Sequence, residues 1–285
     1  MTQKLNNISS KLDPQQKEVL LLLQETAAKN NTNFLVVGAT ARDIILNFCY
    51  NVKVNLRATV DLDFGISVPD WETFHNIKNE LIATGKFTTS RQEHRIIFKN
   101  NLPIDIVPFG GIEDGNGKIT FPPDNRFVMT TLGFKEALSH AVEVTIQEKP
   151  QVIVFVAGLV SLFIMKLIAW DEKYPERNKD AADMAIIIKY YLEGDNSAKL
   201  AGEDADLIDV DDFDVETAAA RVLGRDIKRC SNKDTIDYVL EILEKEKKSN
   251  RLAIELNRYF NRFGDEIDST IHLVENILQG IMDIS

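Results

Sequence analysis

The apolar and polar positions along the chain change period several times, and each period predicts a different element. In DPQQKEVLLLLQETAAK, from Asp13 to Lys29, an acid precedes a proline and Val19, Leu20, Leu22 and Leu23 follow at helical spacing. This predicts a helix capped by Asp13. The wholly apolar FLVV at 34–37 predicts a short buried strand ended by Gly38, with Thr40 placed to cap a helix running from Ala41 towards Phe48. RATVDLDFGI at 57–66 alternates, so Asp61 and Asp63 share one face of a strand while Val60, Leu62 and Phe64 share the other. Asp70 to Ala83 has helical spacing, and FTTSRQ, RIIFKN and LPIDIVPFG alternate like antiparallel strands joined by short turns. In the last of these, Ile104 and Ile106 face a core and Asp105 faces away. A further strand pair is predicted around ITF and VIVFV. The apolar run from Val152 to Met165 is shorter than the roughly 18 residues of a membrane span and predicts a buried strand followed by a buried helix.

From Leu159 onward the period is helical, broken at Pro175, at Gly194 and in an acidic run. The expected fold is therefore α/β (α+β): a mixed sheet with helices over residues 1–156 and a helical domain over 157–285, with no internal repeat.

Composition narrows the class. Hydrophobic residues at 44% and charged residues at 27% fit a globular protein, and the opening MTQKLNNISSKLDPQQ lacks a signal-peptide apolar segment. Cys49 and Cys230 make no disulfide framework, and four scattered histidines make no zinc site, so a reducing cytoplasm is expected and no membrane. The net charge of −11 argues against a general nucleic-acid binder. Much of that charge is local: EDADLIDVDDFDVE, from Glu203 to Glu216, holds eight acids and no base. It reads as a solvated linker or an acidic face towards a partner. The basic LGRDIKR that follows fits either packing in a helical bundle or contact with a nucleic-acid backbone.

The chemistry gathers around Asp61 and Asp63. Two like charges one residue apart on one strand face repel, and either solvent or a divalent cation must offset the cost. Three further features favour the cation. Asp105 lies on the polar face of a neighbouring strand. The VVGATARD turn offers backbone N–H groups at a helix start, where Gly38 allows a phosphate to approach. Lys166, Arg177 and Lys179 sit near a helical bend, available to a polyphosphate. Together they describe a two-metal phosphoryl-transfer site.

Gly38-x-x-x-Arg42-Asp43 after a strand, then Arg57-x-Thr59-x-Asp61-Leu-Asp63, then a single acid on a later strand, resembles the DNA polymerase β-type nucleotidyltransferases. The helix lysine followed by Lys179, Asp180 and Asp183 is similar to the AbiEii/AbiGii-type toxin nucleotidyltransferases, and the VGATARD turn is similar to that of tRNA CCA-adding enzymes. The resemblance covers roughly residues 34–190. It implies Asp61, Asp63 and Asp105 as ligands for Mg2+ or Mn2+, with Asp105 as the base for the acceptor hydroxyl. It implies Gly38, Ala39, Thr40 and Arg42 at the phosphates of an NTP, with Arg57 and Thr59 supporting the paired acids. Lys166 would face the nucleotide, with Asp180 or Asp183 as the later helix acid. Ala39 departs from the family pattern, which has Ser or Gly there, so the missing hydroxyl would have to come from Thr40.

Other readings of single residues stay open: Arg42 and Asp43 as a surface ion pair, Lys166 as a lysine covering the core, Asp180 as an ordinary acid at a helix start. The function implied is transfer of a nucleoside monophosphate from an NTP to an acceptor hydroxyl, such as a tRNA end, in a toxin that would have a cognate antitoxin. The alternatives are a small-molecule, antibiotic-modifying transferase and an inactive binding protein of the same fold.

Overall fold

The computed structural model describes residues 6–54, 61–123, 125, 127–209, 213–260 and 267–284. The chain forms two units, one of Met1–Cys49 with Lys53–Gly158, the other of Tyr50–Val52 with Leu159–Ser285.

The first unit is built in the order β1 (Asn6–Asn7), α1 (Pro14–Lys29), β2 (Phe34–Val37), α2 (Gly38–Asp43), β3 (Leu62–Val68), α3 (Trp71–Ala83), β4 (Phe87–Thr89), β5 (Arg95–Phe98), β6 (Leu102–Gly110), β7 (Lys118–Thr120), β8 (Val128–Thr130), α4 (Phe134–Ser139), β9 (Val142–Glu148) and β10 (Gln151–Val156). Its helix starts follow from short polar side chains. Asp13 accepts from the Gln15 and Gln16 N–H groups at 2.8 and 3.3 Å and opens α1. Asp70 accepts from the Thr73 N–H at 2.7 Å and opens α3. The expected Thr40 cap does not form. Gly38 takes φ +65°, the helix begins directly at Gly38, and its six residues run into a wider, π-helical turn at Ile44–Cys49.

An eight-stranded mixed sheet runs β1-β9-β10-β2-β3-β6-β5-β4. β3 pairs antiparallel with β2 and parallel with β6, and β5 and β4 continue antiparallel from β6. Leu62, Phe64 and Ile66 stand beside Ile104, Ile106 and Pro108, and α1 and α3 belong to the same layer of contacts. The opposite face is closed further along by α4: a Cβ on Gly65 would lie 2.9 Å from the Phe134 ring, so only glycine leaves that ring its place. ITF and VIVFV do not pair with each other. Ile119 belongs to a separate two-stranded ribbon of β7 and β8, whereas β10 pairs with β9, an alternating strand the periodicity reading passed over.

The second unit is helical: α5 (Leu159–Glu172), α6 (Asn178–Lys189), 3-10 turns at Gly194–Ala201 and Ala205–Leu207, α7 (Val215–Cys230), α8 (Lys233–Ser249), α9 (Arg251–Asn257) and α10 (Ile267–Asp283). α7 and α10 meet backbone to backbone, because Gly224 and Gly280 face each other there. A Cβ on either would lie 2.1 Å from a carbonyl oxygen of the other helix. The acidic run is not simply solvated. Asp204 is fully buried and accepts from Arg225 at 3.0 Å and Arg229 at 2.8 Å, and Asp206 accepts both Arg225 terminal nitrogens at 2.7 and 2.6 Å. The arginines of LGRDIKR are thus turned to the chain's own acids, the packing alternative of the two. Among the described residues, no helix is long and apolar enough to cross a membrane.

Candidate active site

Four strands of the first unit place one row of residues side by side. Val37 on β2 pairs with Asp63 on β3, Asp63 with Asp105 on β6, and Asp105 with Arg95 on β5. Residues paired across a ladder point to the same face, so the row sets two carboxylates next to each other on the face away from Ile104 and Ile106. Asp61 lies in the bend just before β3 begins at Leu62, not inside a strand as the alternation implied. It still joins the others: oxygens of Asp61, Asp63 and Asp105 lie within 4.8 Å of one another, and all three residues are half-buried.

Unpaired, such an arrangement is unfavourable, since like charges directly opposite on adjacent strands repel. Hard oxygen donors converging at this spacing suit a divalent cation such as Mg2+ or Mn2+, which takes carboxylate oxygens as ligands. The donor set fits that ion and offers no sulfur or imidazole for a softer one.

The Gly38 turn is joined to this group by contact. A Cβ at Gly38 would lie 2.2 Å from Asp63 Oδ2, and the positive φ adds a backbone reason for glycine. The N–H groups of the first turn of α2 have no partners within the helix. Ala39 beside it is half-buried, and Thr40 Oγ1 is buried with no hydrogen-bond partner. Arg42 is buried and gives Nε and Nη2 to Asp43 Oδ1 at 2.9 and 2.6 Å. The ion pair foreseen for a surface is therefore made by an arginine the fold has covered. Arg57 and Thr59 lie outside the described residues.

Lys166, Asp180 and Asp183 come together within the second unit. The Lys166 ammonium lies 2.9 Å from Asp180 and 2.7 Å from Asp183, and Arg177 reaches Asp180 at 2.5 Å. Asp180 is fully buried, unlike an ordinary acid at a helix start. Burial pulls the Lys166 pKa down, but Asp183 and Asp180 outweigh it and hold the group above its usual value. Lys179 is exposed.

Sequence reasoning missed Arg95. Its Nε and Nη2 donate to Asp105 Oδ1 and Oδ2 at 2.6 and 2.7 Å, a two-pronged ion pair. The Asp105 carboxylate raises the guanidinium pKa despite partial burial, and Asp61 and Asp63 add to it. A signal was present: RIIFKNNLPID is a hairpin, and counting outward from its turn sets Arg95 opposite Asp105.

A mixed sheet thus carries clustered carboxylates beside a glycine turn. Residues 21–273 match the family described as nucleotidyl transferase AbiEii toxin, type IV toxin–antitoxin system, and the chain belongs to that family. It is an NTP-dependent nucleotidyltransferase. Among solved structures it is similar to ANT(2")-Ia in complex with adenylyl-2"-tobramycin, at 11% identity and a TM-score of 0.39, over 65% of this chain and 93% of that one. It is also similar to a CCA-adding enzyme in complex with ATP, at 13% identity and a TM-score of 0.33, over 95% of this chain and 71% of that one. The Thermotoga maritima CCA-adding enzyme complexed with tRNA gives 13% identity and a TM-score of 0.27, over 96% and 82%. No curated protein sequence matches.

Proposed function

We propose that this nucleotidyltransferase moves a nucleoside monophosphate from an NTP to the hydroxyl of a tRNA end, acts as a toxin, and uses the Asp61, Asp63 and Asp105 cluster as its metal-binding centre. The observation that carries the reading is the convergence of those three carboxylates within 4.8 Å in a chain whose family transfers nucleotides. Asp61, Asp63 and Asp105 would hold Mg2+ or Mn2+. Bound there, the cations supply charge stabilisation for the attacking oxygen and the departing pyrophosphate.

The protein's own residues do the rest. Gly38 keeps the turn close to Asp63, and the N–H groups of Gly38, Ala39 and Thr40 at the start of α2 would serve the β and γ phosphates. The Thr40 hydroxyl, buried without a partner, is the available substitute for the hydroxyl that Ala39 lacks. Asp105 accepts the proton of the acceptor hydroxyl, a role for which its two engaged oxygens must share or release a bond.

The acceptor is tested by incubating the protein with each labelled NTP and Mg2+, offering tRNA, protein and an aminoglycoside in parallel. Label on the tRNA end supports the reading. Label confined to the aminoglycoside replaces the RNA acceptor with a small molecule, an outcome that the net charge of −11 makes worth including.

A further inference from the structure

β5 brings a cation of the protein's own to the carboxylate cluster. Arg95 and Asp105 are partners in the β5–β6 ladder, and the guanidinium spans the carboxylate with one nitrogen on each oxygen, at 2.6 and 2.7 Å. Their side chains are 28% and 15% exposed, so the pair is shielded without being sealed off. Asp105 is at the same time one of the three acids whose oxygens lie within 4.8 Å. A carboxylate has about four lone-pair directions over its two oxygens, and the arginine takes one on each. A divalent ion arriving at Asp105 meets oxygens already engaged and a positive charge beside them, and both oppose its binding.

We propose that Arg95 is a resident counter-ion that competes with the divalent cation for Asp105, keeping the cluster weakly loaded until an anionic nucleotide adds its charge. The proposal rests on reading the three acids as a cation site. Arg95 acts through Asp105 and is a positioning residue. Without nucleotide it offsets part of the repulsion among Asp61, Asp63 and Asp105, which explains how the sheet tolerates them. When a triphosphate arrives, its charge tips the competition towards the cation.

The test is Mn2+ binding to the full chain without nucleotide, read as free Mn2+ by electron paramagnetic resonance, for wild type, Arg95→Gln, Arg95→Lys and Asp61→Asn with Asp63→Asn. Arg95→Gln is expected to bind Mn2+ about tenfold more tightly than wild type. Adding a non-hydrolysable triphosphate analogue is expected to shrink that difference. Arg95→Lys keeps the charge but loses the fork, and a smaller gain in affinity is expected even where Arg95→Gln fails to fold. Unchanged or weaker Mn2+ binding in the folded arginine variants, with binding lost in the double asparagine variant, overturns the counter-ion role alone. Wild-type affinity in the double asparagine variant overturns the cation site itself, and the proposal with it.

Discussion

At Lys166 the structure shows ion-pair partners that helical spacing alone does not reveal. The sequence offers it as a phosphate ligand or a lysine covering the core, yet its ammonium carries the fully buried Asp180 and the largely covered Asp183. Removing one member of a buried ionic group leaves the others uncompensated, which costs about 3 kcal/mol or more. Lys166→Ala is therefore expected to lower the thermal midpoint clearly, as followed by circular dichroism. A midpoint close to wild type together with weakened nucleotide binding would return Lys166 to the phosphate role implied by the family resemblance. Gly38 ends β2, as its place after FLVV implies, while its positive φ and its contact with Asp63, which few other residues tolerate together, come from the fold.

Among elements, the acidic run and α7 depend on each other. Asp204 accepts from Arg225 and Arg229, Asp283 from Arg221 and Arg225, and Asp226 from Tyr191, Lys199 and Arg229. Burial alone would raise the Asp204 and Asp283 carboxyls, but the arginines outweigh it and hold both below the ordinary value of 3.8. A carboxyl depressed in the folded state contributes stability above its unfolded pKa and loses it as pH falls through the folded one. Thermal midpoints should accordingly drop steeply below about pH 4. Asp204→Asn is expected to be less stable at neutral pH yet to lose less between about pH 4 and pH 2, giving a shallower acid limb in the melting profile. An acid limb as steep as wild type would detach Asp204 from the acid transition. This network was not legible in sequence, because a run of eight acids looks solvated until the helix that answers it is folded alongside. The strands around the site were legible for the converse reason. FLVV, LDFGISV and LPIDIVPFG each carry their own period, and the hairpin turn at 99–101 fixes the β5–β6 register locally. What alternation could not show is where a ladder ends, so Asp61 was placed inside a strand it only precedes.

For the whole molecule, the family settles the class of reaction, and the carboxylate cluster remains the point at which the chemistry is either present or not. Three acids drawn together repel; Arg95 offsets part of that repulsion, and a bound cation would offset the rest. The most direct measurement is nucleotidyl transfer by Asp61→Asn combined with Asp63→Asn, beside its thermal midpoint, since asparagine keeps the shape and removes the charge. Loss of transfer by about 1,000-fold or more is expected, on the scale of losing a principal electrostatic stabiliser, with a midpoint equal to or above that of wild type. Transfer at the wild-type rate in a folded double variant would contradict it.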